Sequence, residues 1–184
     1  RERLPASGDP PPGLSDIFRF SVPLTVGGCF LSLSTVMLAA FIARAPEPER
    51  MLPAYSRARG RARPAAFAAT RMQTVVLAFP PADRHRGRTL RFAVAAGLVL
   101  GVLPLAFTLP GPAELYYVDL QNLDPADLGL VRQTAAMLLF FPLATALRGQ
   151  SEGLSAWLKK PSAVLFGHSM FLAAVLAVGM ATLV

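Results

Sequence analysis

PSAVLFGHSMFLAAVLAVGMATLV, residues 161–184, runs for 24 residues without an Asp, Glu, Lys or Arg. A hydrocarbon core takes about 20 residues of helix to cross. A helix buried in a soluble domain rarely runs this long without a polar face. This stretch has none, so it reads as a membrane span. FAVAAGLVLGVLPLAFTL, residues 92–109, repeats the pattern over 18 residues. Composition agrees: 53% of residues are hydrophobic and 16% charged, against about 25% charged in soluble domains.

Lipid offers no partner to open strand edges, so spans are helices or closed barrels. Barrel strands show about ten alternating residues each, and no such segment is present. The expected fold is all-α: a polytopic transmembrane helix bundle of about five spans. A polar, Pro/Gly-rich linker occupies residues 1–15. The spans are read at about 17–43, 49–79, 92–109, 128–147 and 161–184, making 16–184 the bundle. Pro23 and the Gly27–Gly28 pair predict a kink in the first span, or a groove where another helix comes close.

The second span is the difficult one. If residues 44–63 were a loop and 64–80 a short span, two basic segments would face opposite sides. That conflicts with the tendency of basic loops to stay cytoplasmic. One long helix from about Glu49 to Phe79 removes the conflict. At 1.5 Å per residue it is about 46 Å long, enough to cross with a tilt. Residues 1–19, 80–91 and 148–160 are then inside and basic. The 44–50 link is outside and balanced, and 110–127 is outside and acidic.

That helix carries Arg57, Arg59, Arg61 and Arg63 to membrane depth, where each arginine facing lipid costs about 2.5–3.5 kcal/mol. They must meet water, or partners. At 100° per residue Arg57 and Arg61 lie within about 40° of each other, with Arg71 nearby, and Arg59 and Arg63 fall on another side. Clustered guanidiniums suit carboxylates and phosphates, which match their fork of donors. The candidate anion-binding residues are therefore Arg57, Arg61 and Arg71. The alternative is that these arginines snorkel to a headgroup surface.

Other polar residues read more plainly. His168 is a helix–helix hydrogen-bonding residue or a proton relay. Gly97 and Gly101 form a GxxxG close-packing pair. Ser32, Ser34, Thr35 and Gln133 read as contacts between helices. Arg148 and Glu152, four apart, can pair at a helix end. Asp83 and His85 lack a third partner. There is no nucleophile–base pair, no phosphate-binding glycine loop and no metal-type spacing, so neither enzyme, cofactor nor metal is expected. The lone Cys29 lies inside a span, so no internal disulfide can form. The net charge is +7. Its arginines sit between spans without interleaved aromatics, which excludes nucleic acid. The first residue is Arg1, and the ends look cut. The first apolar run is too long for a signal peptide.

FRFSVPLTVGGCF and, more specifically, FFPLATALRGQSEGLSAWLKKP resemble the second lobe of the progressive ankylosis protein family. The Phe-Pro pair, Arg148 six residues after Pro142, Gly153 and Lys159–Lys160 carry the likeness, which covers roughly residues 16–184. The resemblance implies a MATE-like fold of the multidrug, oligosaccharide-lipid and polysaccharide exporter superfamily. The chain would be five helices of a C-terminal lobe. It also implies export of an anion such as citrate, ATP or pyrophosphate.

The expected function is therefore a transporter fragment or half, exporting an organic or phosphate-containing anion by alternating access. Its expected partners are the lipid bilayer, a missing N-terminal lobe or a second copy, and a small anionic substrate. Its expected place is a bacterial inner membrane. A non-transporting scaffold or assembly subunit is the other reading. It predicts an interface between lobes packed by Gly97, Gly101 and Gly153, without a polar cavity.

Overall fold

The computed structural model describes residues 13–79 and 86–182. Most of the expected linker (residues 1–12), the loop residues 80–85 with Asp83 and His85, and residues 183–184 lie outside the described residues. The helices are α1 (Leu14–Ile42), α2 (Pro48–Thr70), α3 (Met72–Ala78), α4 (Arg86–Leu105), α5 (Pro110–Ala113), α6 (Leu128–Met137), α7 (Phe141–Trp157) and α8 (Pro161–Ala181), with no strand among the described residues. Four helical stretches are long and apolar enough to cross a membrane: Leu14–Ile42, Gly87–Thr108, Pro125–Trp157 and Pro161–Ala181. Phe92, Val99, Leu103, Phe166, Met170 and Val178 point outward. In water so much exposed apolar surface would drive aggregation; in lipid it is matched to its solvent. The chain is an all-α integral membrane bundle.

The arginine-rich segment is helical nearly throughout. α2 and α3 follow one another with a single break at Arg71. Pro53 and Pro64 lie inside α2 without ending it, and both rings are on the exposed side. The reason this polar helix packs is its alanines. Ala54, Ala58, Ala62, Ala65, Ala66 and Ala69 are all buried. Their spacing of three and four makes one smooth face, which packs against α4, α6 and α7. The arginines are left on the two flanks of that face.

Two expected loops are instead ordered helix. Residues 110–127 fold into α5, a π-helical turn (Glu114–Leu120) and a 3-10 turn (Pro125–Asp127). Ala113, Tyr117, Leu123 and Val131 bury against Ala54 of α2, so this acidic segment is a cap. Residues 148–157 continue α7, because no proline intervenes before Pro161 and packing on α3 offsets the weak helix preference of Gly149 and Gly153. Gly149 and Gly153 turn towards α3, and a Cβ on Gly153 would lie 2.9 Å from Gln73 O. Gly97 and Gly101 face Leu143 and Leu139 in the same way. All three expected interface glycines thus pack inside this chain.

The ends of the helices sort into two groups. Arg50 Nε donates to Asp127 Oδ1 at 2.7 Å, and Arg50 also pairs with Glu47 at 3.1 Å. This joins the 44–50 link to the start of α6. Met72, Val76 and Ala93 share a cluster that also takes in Leu154, which joins α3 and the start of α4 to the end of α7. Laterally, α1 packs mainly on α8, while α2, α3, α4, α6 and α7 pack together. A cleft runs between the two sets.

Candidate functional site: a polar cluster in an apolar cleft

The cleft holds a half-open cavity of about 690 Å³, bounded by α1 and α8 on one side and α2 and α7 on the other. Its walls are mainly apolar, with Leu31, Leu38, Phe141, Phe171 and Val175 among them. Arg59, Arg148, Glu152 and His168 reach it, together with the Tyr55 phenol. Two guanidiniums face one carboxylate, so one positive charge is left over with the histidine neutral.

The cluster is a chain of contacts. Glu152 Oε1 lies 2.9 Å from His168 Nε2 and 3.2 Å from Arg148 Nε. The arginine contact has ion-pair distance without hydrogen-bond alignment. Glu152 is 18% exposed and His168 11%, against 35% for Arg148. The α7 repeat puts Arg148 and Glu152 one turn apart on one face. The histidine comes from the next helix. Lys159 in the α7–α8 turn adopts a left-handed φ of 53°, and Lys160 N donates to Ser155 O at 2.8 Å; this sharp reversal brings α8 back along α7. Gly27 of α1 completes the packing. A Cβ there would lie 2.8 Å from His168 Nδ1, so only a glycine lets α1 press the ring against Glu152. The sequence reading of a close approach at Gly27 is this contact.

Arg59 enters from α2. Its guanidinium lies 5.7 Å from the Tyr55 ring centre, and it donates to Thr35 Oγ1 at 3.4 Å. Thr35 and Ser34 otherwise bond back to carbonyls of their own helix, Leu31 O and Phe30 O. They are thus largely satisfied within α1 rather than between helices. Arg59 and Arg63 also line a smaller adjoining space of about 210 Å³ with Ser56 and Gly60.

The structure does not bring the three arginines singled out in the sequence together. Arg61 stacks on Tyr116, its Cζ 4.0 Å from the ring centre, with Phe107 at 5.9 Å. Arg71 sits exposed at the α2–α3 break, over Phe67 at 5.0 Å. Arg57 is half-buried on the Arg61 flank. None of the three lines the large cavity; Arg59, from the opposite flank, does. The helical phase separated the two flanks in the sequence, but not which one faced the cleft. Arg148 and Glu152 were visible as a pair, and nothing linked them to His168.

No family model matches this chain, no curated protein matches it, and no solved structure matches it.

The arrangement can bind charge. Among the described residues no three His, Cys, Asp or Glu side chains converge on one point. What the cleft offers is two arginines, Arg59 without a carboxylate partner among the described residues, against an apolar wall. That combination suits a ligand with an anionic head and an apolar body.

Proposed function

We propose that this chain is one lobe of a membrane transporter that carries an organic anion by alternating access. Another lobe or a second copy would face the open side of the cleft. The observation that carries the reading is the 690 Å³ cavity with Arg59 and Arg148 on its wall. Charged groups within membrane helices are expensive, and they persist where they line a pathway or a site. A purely structural bundle would fill such a cleft with side chains. The scaffold reading also called for Gly97, Gly101 and Gly153 at an interface between lobes, and they are used up inside the bundle. The likeness to the progressive ankylosis family supports the same proposal. The anion-binding pair becomes Arg59 and Arg148.

The test is uptake of radiolabelled p-aminohippurate by the full-length protein in liposomes. This aromatic carboxylate matches an apolar cleft with arginines. Each arginine offers a charge-assisted bond of about 1.5–3 kcal/mol. The Arg59→Gln, Arg148→Gln double variant should therefore raise KM about 100-fold or more, with unchanged insertion and elution on size exclusion. Uptake at the wild-type KM would sink the reading.

A further inference from the structure

We infer that Glu152 is the binding site for a co-transported proton, and that its carboxylate and the organic anion exchange for one another as partners of Arg148. The inference rests on the transport reading of the cleft and assigns its coupling ion.

Arg148 has one anionic neighbour among the described residues, the Glu152 carboxylate at 3.2 Å. While that carboxylate is ionised, it neutralises the arginine. An incoming anion must then compete with it and meet the repulsion of a second negative charge. When Glu152 takes a proton from water onto the carboxylate, its charge disappears and no bond to carbon changes. Arg148 is then left with an unmatched positive charge on the cavity wall, and the anion supplies the match. His168 holds the carboxyl group in place throughout. Its Nε2 lies 2.9 Å from Oε1, and a neutral imidazole can donate there to either form of the acid. The ring is locked from behind by the α1 backbone at Gly27. The ring's other nitrogen is buried without a hydrogen-bond partner.

Every element around the cluster agrees with this assignment. α7 presents Arg148 and Glu152, α8 presents His168, α2 presents Arg59 and Tyr55, and α1 presents only the hydroxyls of Ser34 and Thr35. Among the described residues Glu152 is the one acidic residue of the cavity wall. Proton and anion binding are thus linked with positive sign, and linkage is reciprocal. One proton taken up per anion means that affinity changes up to about tenfold per pH unit.

The experiment measures the KM for p-aminohippurate uptake by the full-length protein between pH 5.5 and 7.5. A carboxylate probe stays ionised across that range, since its ordinary pKa lies near 4. In the wild type KM should fall as pH falls. Glu152→Gln, which mimics the protonated acid, should hold KM near the wild-type low-pH value at every pH. Glu152→Asp should keep the pH dependence. His168→Gln, which keeps a donor but does not titrate in this range, should keep it as well. Retained pH dependence in Glu152→Gln, or its loss in His168→Gln alone, overturns the proton assignment. If the double arginine variant abolishes uptake while Glu152→Gln titrates like the wild type, the cavity reading stands and this inference falls. If the wild type moves no probe at any pH, both fall.

Discussion

Arg61 and Tyr117 show how the bundle deals with charge where no carboxylate is at hand. The Arg61 guanidinium lies against the face of Tyr116, a contact of about 0.5–2 kcal/mol depending on how dry it is. Three aromatic rings, Phe107, Tyr116 and Tyr117, meet edge to face beneath it, with centroids 5.0–6.5 Å apart. The Tyr117 ring is fully buried and its hydroxyl has no hydrogen-bond partner. Burial pushes this phenol above its ordinary range, with Arg61 pulling the other way. An unpaired buried hydroxyl costs about 1–3 kcal/mol. Tyr117→Phe should therefore raise stability by about 1 kcal/mol, read as a higher thermal midpoint in detergent. The pH effect follows from the same burial. A raised folded pKa contributes stability below the unfolded value near 10 and loses it as pH rises past that point. The wild type should lose stability above about pH 10 through this tyrosine, and Tyr117→Phe should lose less. A lower midpoint for the variant at neutral pH would mean that the hydroxyl has a partner after all.

At the scale of the element, α2 is the unusual helix. It is too polar to count among the four apolar stretches, yet it packs against α4, α6 and α7. Its alanine face resolves the conflict, because small side chains let backbones approach closely without a hydrophobic drive. Ala62 is 0% exposed at the middle of that face. Ala62→Leu would force several extra carbons between α2 and its neighbours, at about 1–3 kcal/mol. A lower thermal midpoint together with reduced uptake is expected, since the same face sets the position of Arg59. An unchanged midpoint would show that the alanine contact is loose. Helix identity along this segment was legible in the charge alternation of its flanks. The break at Arg71 was not, because no proline or glycine marks it.

Across the whole molecule, the Arg50–Asp127 bond and the Met72–Val76–Ala93 cluster assign helix ends to opposite poles. The pole holding Glu47, Arg50 and Asp127 carries both signs of charge. The other ends in Trp157, Lys159 and Lys160, an aromatic and basic belt of the kind found at a cytoplasmic interface. In a Cys29→Ser background, single cysteines at Glu47 and Asn122 should react with an impermeant maleimide from outside the cell. A cysteine at Lys159 should react only in inverted vesicles. Labelling of positions 47 and 159 from the same side would break the alternation on which the bundle rests. The cleft between the α1–α8 pair and the remaining helices is the other whole-molecule feature. The polar ties across it include Arg59 to Thr35 and Glu152 to His168.

Hydropathy and charge alone determined that this is a helical membrane protein, because lipid solvates one residue after another and the cost adds up along the chain. They also pointed to helix along the arginine-bearing segment, since that reading let the loops follow the tendency of basic segments to stay cytoplasmic. Which arginines serve the cleft was decided only in three dimensions. Arg57 and Arg61 on one flank of α2, and Arg59 and Arg63 on the other, differ in sequence only by phase. The alanine face, docked on α4, α6 and α7, turned the second flank towards α1 and α8. The meeting of Glu152 with His168 is likewise tertiary. It depends on the reversal at Lys159 and on the missing side chain of Gly27, and neither leaves a periodic trace in the sequence.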